Sequence, residues 1–249
     1  MKIGNKFCDI HHILYIFVFL YKIMKKNSCK HCSVKSKAEE ILSIDELEEL
    51  GRSCNEVDFK KGESIIKEGT LTSNVIYIKN GLVKIHKKGP HKELILRLVK
   101  APSYLGLPSV FGDKINQYSA TAIENSTACY ISFNAFQKFI FTNGNFALEI
   151  IAELCRNEIN DNQRWVNQSQ KNVNGRMAET LCCISHHIFQ NETFNLPLTQ
   201  SELGDLTGTS RESVCRILTE FSQDGIISQA GKEISIINAE KLEKISKNG

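Results

Sequence analysis

The stretch from Leu198 to Ile236 constrains this chain more than any other, because its punctuation fixes two short helices and the turn between them. Thr199 and Glu202 make a Ser/Thr-x-x-Glu capping pattern that opens a helix with Leu203 and Leu206 facing inward. Gly208 supplies the positive-φ residue that ends it, and Ser210 can cap a second helix. There Val214, Ile217, Leu218 and Phe221 fall on one apolar stripe, leaving Arg211, Glu212 and Arg216 on the opposite face. The pattern predicts a helix-turn-helix. A first-turn Arg-Glu pair with a second arginine one turn on suits the major groove, where guanidinium groups fork onto guanine and a carboxylate accepts from cytosine. A solvated helix face carrying ordinary charges gives the same pattern, so the helix pair alone does not decide.

The residues beyond the second helix do. Asp224-Gly225 ends that helix, and Ile226 to Ile237 reads as two short strands around Ala230-Gly231, a wing. With this the segment resembles the C-terminal winged helix-turn-helix of the CRP/FNR family of bacterial transcription regulators. The Ser-Arg-Glu-(Ser/Thr)-Val-x-Arg recognition run is matched by Ser210, Arg211, Glu212, Ser213, Val214, Cys215 and Arg216, and the Gly-Ile-Ile/Leu start of the wing by Gly225 to Ile227. The resemblance implies double-stranded DNA as partner, a homodimer, contact with RNA polymerase and a cytoplasmic location; no Ser/His/Asp arrangement, phosphate-binding glycine loop or paired-carboxylate motif stands out, so no enzymatic activity is expected. It further implies that Arg211 and Arg216 take guanines and Glu212 a cytosine in a palindrome with half-sites like TGTGA or TTGA. Thr199, Ser201, Ser210 and the wing near Lys232 would then meet backbone phosphates.

Bulk charge is a weak guide. The chain carries +3 overall, but from Lys171 onward eight Lys/Arg face ten Asp/Glu, a net of −2 at the end expected to bind DNA. A favourable field must therefore be local: Arg211, Arg216, Lys232 and the positive end of the helix beginning after Ser210. The 249 residues, 41% hydrophobic, suffice for two modest cores. Nine cysteines, an odd number scattered over the chain, do not read as a secreted disulfide framework. From Ile13 to Leu20 runs an apolar stretch far short of the roughly 20 residues that a membrane span requires. No small-residue cleavage site comes after it, and Met24-Lys25-Lys26 offers a natural start. An upstream extension is favoured over a membrane anchor, and no membrane partner is expected.

Between Phe59 and Ser132 short apolar runs alternate with glycines, as in a β-roll or barrel. Val75 to Lys79 and Leu82 to His86 flank Asn80-Gly81, which predicts a two-residue hairpin. This part resembles the cyclic-nucleotide-binding β-roll of the same family. In cyclic AMP receptors a Gly-Glu pair takes the ribose and an Arg-Ser/Thr pair the phosphate. Here Gly106 is followed by Leu107, and Ser119 is preceded by Tyr118. Both charged partners are absent, so cyclic AMP is not the expected effector; an unidentified small-molecule or redox effector is. The FNR-type oxygen sensors of the family hold a [4Fe-4S] cluster through an N-terminal Cys-x-x-Cys-x5-Cys run and a fourth cysteine in the β-roll. Cys29 and Cys32 match the first pair and Cys129 the fourth, but Ala38 stands at the third position. A cluster then requires Cys54, His31 or an external ligand.

Phe146 to Met177 holds no proline and predicts a long helix, with Leu148, Cys155, Ile159, Val166, Val173 and Met177 spaced as a two-helix seam. Cys182-Cys183 and His186-His187 are adjacent pairs that point to different sides of a helix and cannot chelate jointly. They read as part of the first helix of the DNA-binding domain, with Leu181, Ile184, Ile188 and Phe189 as its core. The expected fold is α+β: an extension over residues 1-28, a β-roll over 29-142, a dimerisation helix over 145-174 and a winged helix-turn-helix over 175-249. Two alternatives to an effector-controlled DNA-binding regulator stay open. One is a redox or iron–sulfur regulator of the FNR type. The other is a ligand-sensing module whose degraded helix-turn-helix contacts proteins.

Overall fold

The computed structural model describes residues 29–249; residues 1–28, including the apolar stretch from Ile13, lie outside the described residues. The described chain opens with a single 3-10 turn, Cys29–His31, followed by two short helices, α1 (Lys37–Glu40) and α2 (Ile44–Arg52). Both helices start at a serine capping box, Ser36 with Glu39 and Ser43 with Glu46, which satisfies amide groups that the first turn leaves unpaired.

The roll consists of β1 (Cys54–Phe59), β2 (Ser64–Ile66), β3 (Asn74–Asn80), β4 (Leu82–Lys88), β5 (Glu93–Lys100), β6 (Ser103–Leu105), a short α3 (Leu107–Phe111), β7 (Ser119–Ala122) and β8 (Ser126–Ser132). They form two four-stranded antiparallel sheets, β1-β8-β3-β6 and β2-β7-β4-β5. Ile76, Ile78 and Ala128 of the first sheet meet Val83, Ile85, Ala120 and Ala122 of the second in one buried cluster. The outer face of the first sheet, with Cys54, Val75, Tyr77, Cys129 and Ile131, is covered by helices. The hairpin expected at Asn80-Gly81 does not form. β3 and β4 belong to different sheets, and Gly81 is the corner between them, with φ of 100° and a position where a Cβ would sit 2.1 Å from Ser126 Oγ. β4 instead makes a hairpin with β5, closed by the Gly89 amide on the Lys92 carbonyl at 2.9 Å.

After β8 come α4 (Phe133–Thr142) and the 27-residue α5 (Gly144–Gln170). Phe136, Phe139 and Phe146 are fully buried where these helices meet the roll; the Phe136 and Phe146 rings lie edge to face at 5.3 Å. The predicted long helix is divided. Lys171 is extended, and Asn172 accepts from the Gly175 amide to start α6 (Val173–Cys183). An asparagine side chain that can cap a new helix competes with continuation of the old one. Met177, placed in the seam by its spacing, is fully buried in the C-terminal core, and Val173 packs against that core.

A π-helical turn, Ile184–Phe189, comes after α6, then β9 (Thr193–Asn195), α7 (Gln200–Thr207), α8 (Arg211–Gln223), β10 (Ile227–Ala230), β11 (Glu233–Ile236) and α9 (Ala239–Asn248). β10 and β11 pair around Ala230-Gly231 as expected, and β9 extends them to a three-stranded sheet. Leu181, Ile184 and Ile188 are core residues, but Phe189 is a third exposed and stacks on Phe194 at 5.7 Å. Among the described residues no helix is long and apolar enough to cross a membrane.

Candidate nucleic-acid interface and sensor site

The local chemistry of the helix pair is the one its sequence dictates. Thr199 accepts from the Glu202 amide and Glu202 from the Thr199 amide, completing the capping box of α7. Gly208 closes α7 in the left-handed conformation, at φ of 66°. Ser210 then caps α8 by accepting from the Ser213 amide at 3.2 Å. Val214, Ile217, Leu218 and Phe221 are buried, and Arg211, Glu212 and Arg216 are exposed together on the other side. Arg216 lies 4.0 Å from Glu220 one turn on, so its guanidinium is held loosely by an exposed neighbour. Hydrogen bonds from its own amide and from Ser210 keep the Glu212 carboxyl below the usual carboxylate range, and it is charged at neutral pH.

The remaining residues of the run divide. Ser201 is exposed at the start of α7, and Lys232 is exposed at the tip of the wing. Ser213 is half-buried, its hydroxyl 3.3 Å from that of Ser210. Cys215 points to the first helix, donating to Gln200 Oε1 at 3.0 Å. One residue that pattern reading passes over is Gly204. A Cβ there would come within 2.9 Å of the Thr209 carbonyl, so the close approach of α7 to the turn requires glycine. Arg176 also ties the pair to its base, donating Nε to the Thr207 carbonyl at 2.7 Å and Nη1 to the Lys171 carbonyl at 2.6 Å.

The helix pair is docked on the roll. Leu82, Ile95 and Ile123 share a single buried cluster with the core of the winged domain. Around it Lys84 pairs with Glu202 at 2.7 Å, and Lys92 lies 3.6 Å from Asp205 and donates to the Thr209 carbonyl at 3.3 Å. Partial burial pushes the Glu202 carboxyl up, but hydrogen bonds from Lys84 and Thr199 outweigh it and hold the group below its usual range. Glu202 thus serves the cap of α7 and the seat on β4 at once. Partners 118 residues apart leave no trace in local sequence pattern.

At the other end, the residues expected to line an effector pocket are engaged with nearby backbone and with one another. Gly106 precedes α3, Leu107 is buried, and the Tyr118 hydroxyl accepts from the Gly106 amide at 2.8 Å. Burial, foremost, raises the Tyr118 phenol above its usual range and keeps it protonated. Ser119 Oγ accepts from the Glu68 amide at 3.0 Å.

The cysteines are distributed unevenly. Cys54 and Cys129 are buried on adjacent strands, while Cys29 packs against the same cluster from the N-terminal turn. Cys32 is half-buried beside it, donating Sγ to the Val34 carbonyl at 3.1 Å. Ala38 is buried in the core and His31 is exposed. Among the described residues no group of three or more His, Cys, Asp or Glu side chains forms a site for a single metal ion.

A β-roll sharing its core with a winged helix-turn-helix is the architecture of the CRP/FNR regulators, and comparison with known proteins gives the family. Residues 56–143 match the cyclic nucleotide-binding domain and residues 175–245 the Crp-like helix-turn-helix domain. The chain is 26% identical over 225 residues to the transcriptional activator protein anr of Pseudomonas aeruginosa, covering 86% of this chain and 90% of that one. It is 27% identical over 198 residues to the CRP-like cAMP-activated global transcriptional regulator of Mycobacterium tuberculosis, covering 78% and 88%. Among solved structures it resembles FixK2 from Bradyrhizobium japonicum, with a TM-score of 0.71 and 20% identity over 77% of this chain and 96% of that one. The chain belongs to the CRP/FNR family of transcription regulators.

Proposed function

We propose that the chain is a sequence-specific transcription regulator that binds a palindromic operator as a homodimer, under an effector other than cyclic AMP. The observation that carries this reading is the face of α8, where Arg211, Glu212 and Arg216 stand exposed on a helix anchored by its buried opposite side. Arg211 and Arg216 read guanines, Glu212 reads a cytosine, and Thr199, Ser201, Ser210 and Lys232 meet phosphates. RNA polymerase contact and a cytoplasmic location accompany this reading.

The dimer is supported by α5. Leu148, Ile151, Cys155 and Ile159 recur at three- and four-residue steps along it, with Val166 seven residues further on, and all are exposed, Ile159 by 67%. A stripe of this kind on an isolated helix face has the spacing of a two-helix seam, and a second copy of the same helix would cover it. Sedimentation with a duplex carrying an inverted repeat of TGTGA or TTGA half-sites is expected to give two chains per duplex. A complex of one chain per duplex, or none, would count against the reading. Leu148→Asp with Ile159→Asp should raise the dimer dissociation constant by on the order of 100-fold or more, since burying each aliphatic side chain contributes about 1.5–3 kcal/mol.

Tyr118 supports the exclusion of cyclic AMP. A cyclic phosphate seated there would displace the phenol from the Gly106 amide and gain no charge-assisted fork in return. Calorimetric titration with cyclic AMP is expected to show no binding at micromolar concentration. A submicromolar dissociation constant would sink this part of the account.

A further inference from the structure

We propose that the tip of the β4–β5 hairpin is a second DNA-contacting surface, which meets backbone phosphates beside the half-site read by α8. The inference rests on the proposed role of α8 and adds a contact that the roll, not the winged domain, contributes.

The tip is strongly basic. From Lys84 to Lys92, nine residues hold four lysines and two histidines and no Asp or Glu. The segment from Lys171 onward carries −2, so a duplex, with one negative charge per about 1.7 Å of its axis, gains from cations that the winged domain itself lacks.

Position makes this charge relevant. Side chains alternate along β4, and the irregularity of the hairpin falls on β5 at Leu96, so the alternation of β4 is unbroken. Leu82 and Lys84 are on the face that seats the winged domain, Leu82 in the shared core and Lys84 against Glu202. Lys88 has the same parity and therefore leaves the strand on that face, at the tip. On the return strand Lys92 donates to the Thr209 carbonyl at 3.3 Å, in the turn between α7 and α8. Thr209 is one residue before Ser210 and two before Arg211, so the tip is tethered beside the end of α8 that would enter the groove. The tip is also tight. The Gly89 amide closes on the Lys92 carbonyl at 2.9 Å, and a Cβ on Gly89 would come within 2.9 Å of the same oxygen.

The four lysines differ in what already holds them. Lys84 pairs with Glu202, Lys92 lies 3.6 Å from Asp205, and Lys87 donates to the Gln117 carbonyl at 2.8 Å with Glu68 3.7 Å away. Lys88 is exposed, and its ammonium has no acidic partner among the described residues. Its amide donates to Glu68 Oε2 at 3.1 Å, which fixes the backbone and leaves the side chain free. A lysine meets phosphate as a point charge, without the planar fork that reads a base, so the contact adds affinity and no sequence preference. An acidic protein surface would suit the same charge, but the tether beside α8 places the tip where the duplex runs.

The test is fluorescence anisotropy of the full chain with two labelled duplexes, one carrying inverted TTGA half-sites and one with the same bases scrambled. Each is titrated between about 50 and about 200 mM sodium chloride, where every phosphate contact contributes about 0.9 to the slope of log affinity against log salt. Lys88→Gln should make the slope shallower by about 0.9 for each chain bound and weaken both duplexes by the same factor, roughly 5-fold to 10-fold per chain near 0.1 M salt. Lys88→Glu should weaken both further. Lys138→Gln removes one exposed positive charge from α4, on the far side of the roll's other sheet, and should leave the slope unchanged. An unchanged slope in Lys88→Gln, or an equal loss in Lys138→Gln, would overturn the proposal. Tighter binding by Lys88→Gln would also overturn it and make the tip an obstruction to DNA. A variant that binds both duplexes normally and loses only transcription with RNA polymerase would make the tip a protein contact, again against the proposal. Wild-type chain that binds the inverted repeat no better than the scrambled duplex fails the reading of α8, and this inference falls with it. A specific wild-type complex with an unaltered Lys88→Gln slope fails this inference alone.

Discussion

Replacing Arg211 and Arg216 together by alanine is expected to abolish discrimination between operator and random DNA while leaving the fold intact. Each guanidinium is exposed on α8 and makes no buried contact in the protein, so its removal opens no cavity and strands no partner. Each bidentate contact to guanine contributes about 1–3 kcal/mol of discrimination. Losing both should weaken specific binding by about 2–6 kcal/mol, or roughly 30-fold to 10⁴-fold. Non-specific binding, carried by phosphate contacts, should change by far less and remain strongly salt-dependent. The single variants should each relax one base step. Competition binding with operators altered one base at a time checks this, and a uniform loss over all sequences would reassign both arginines to phosphate contacts.

Gly81→Ala is expected to be the most destabilising of the simple glycine substitutions in the roll. A Cβ at this corner would lie 2.1 Å from Ser126 Oγ and 2.7 Å from Ser126 Cα, and the second of these is backbone that cannot swing aside. The residue also holds φ of 100°, which an L side chain rarely adopts. Overpacking and backbone strain together should cost about 2–5 kcal/mol, a melting temperature lower by on the order of 10 °C. Gly225→Ala is the matched control, with φ of 65° and nothing within 4 Å of the added carbon. It should cost about 1 kcal/mol. Thermal unfolding of both variants decides, and equal effects would mean that the contact with Ser126 relaxes at no cost.

The contrast between these glycines reflects what local sequence can carry. Thr199, Glu202, Gly208 and Ser210 act within four residues of themselves, so the helix pair was legible from its punctuation, as was the wing around Ala230-Gly231. Asn80-Gly81 also announced a reversal, but a dipeptide that encodes positive φ does not say whether the chain returns in the same sheet or crosses to the next. The division of the long helix at Asn172 was hidden for a related reason. Asparagine is tolerated within a helix and favoured at its cap, and only the burial of Met177 in the C-terminal core selects the cap. Longer-range pairings left no local signal. The seat of Glu202 on Lys84 and the phenol of Tyr118 on Gly106 each join elements far apart in the chain or placed by the sheets.

The central claim, that α8 reads sequence for a dimer, is tested most directly by selecting bound duplexes from a random pool with the full chain. The account predicts an enriched inverted repeat whose half-sites centre about one helical turn apart, with guanines at the positions that Arg211 and Arg216 reach and a cytosine at the one that Glu212 reaches. A pool that stays random after repeated rounds, while the protein remains folded, would contradict it.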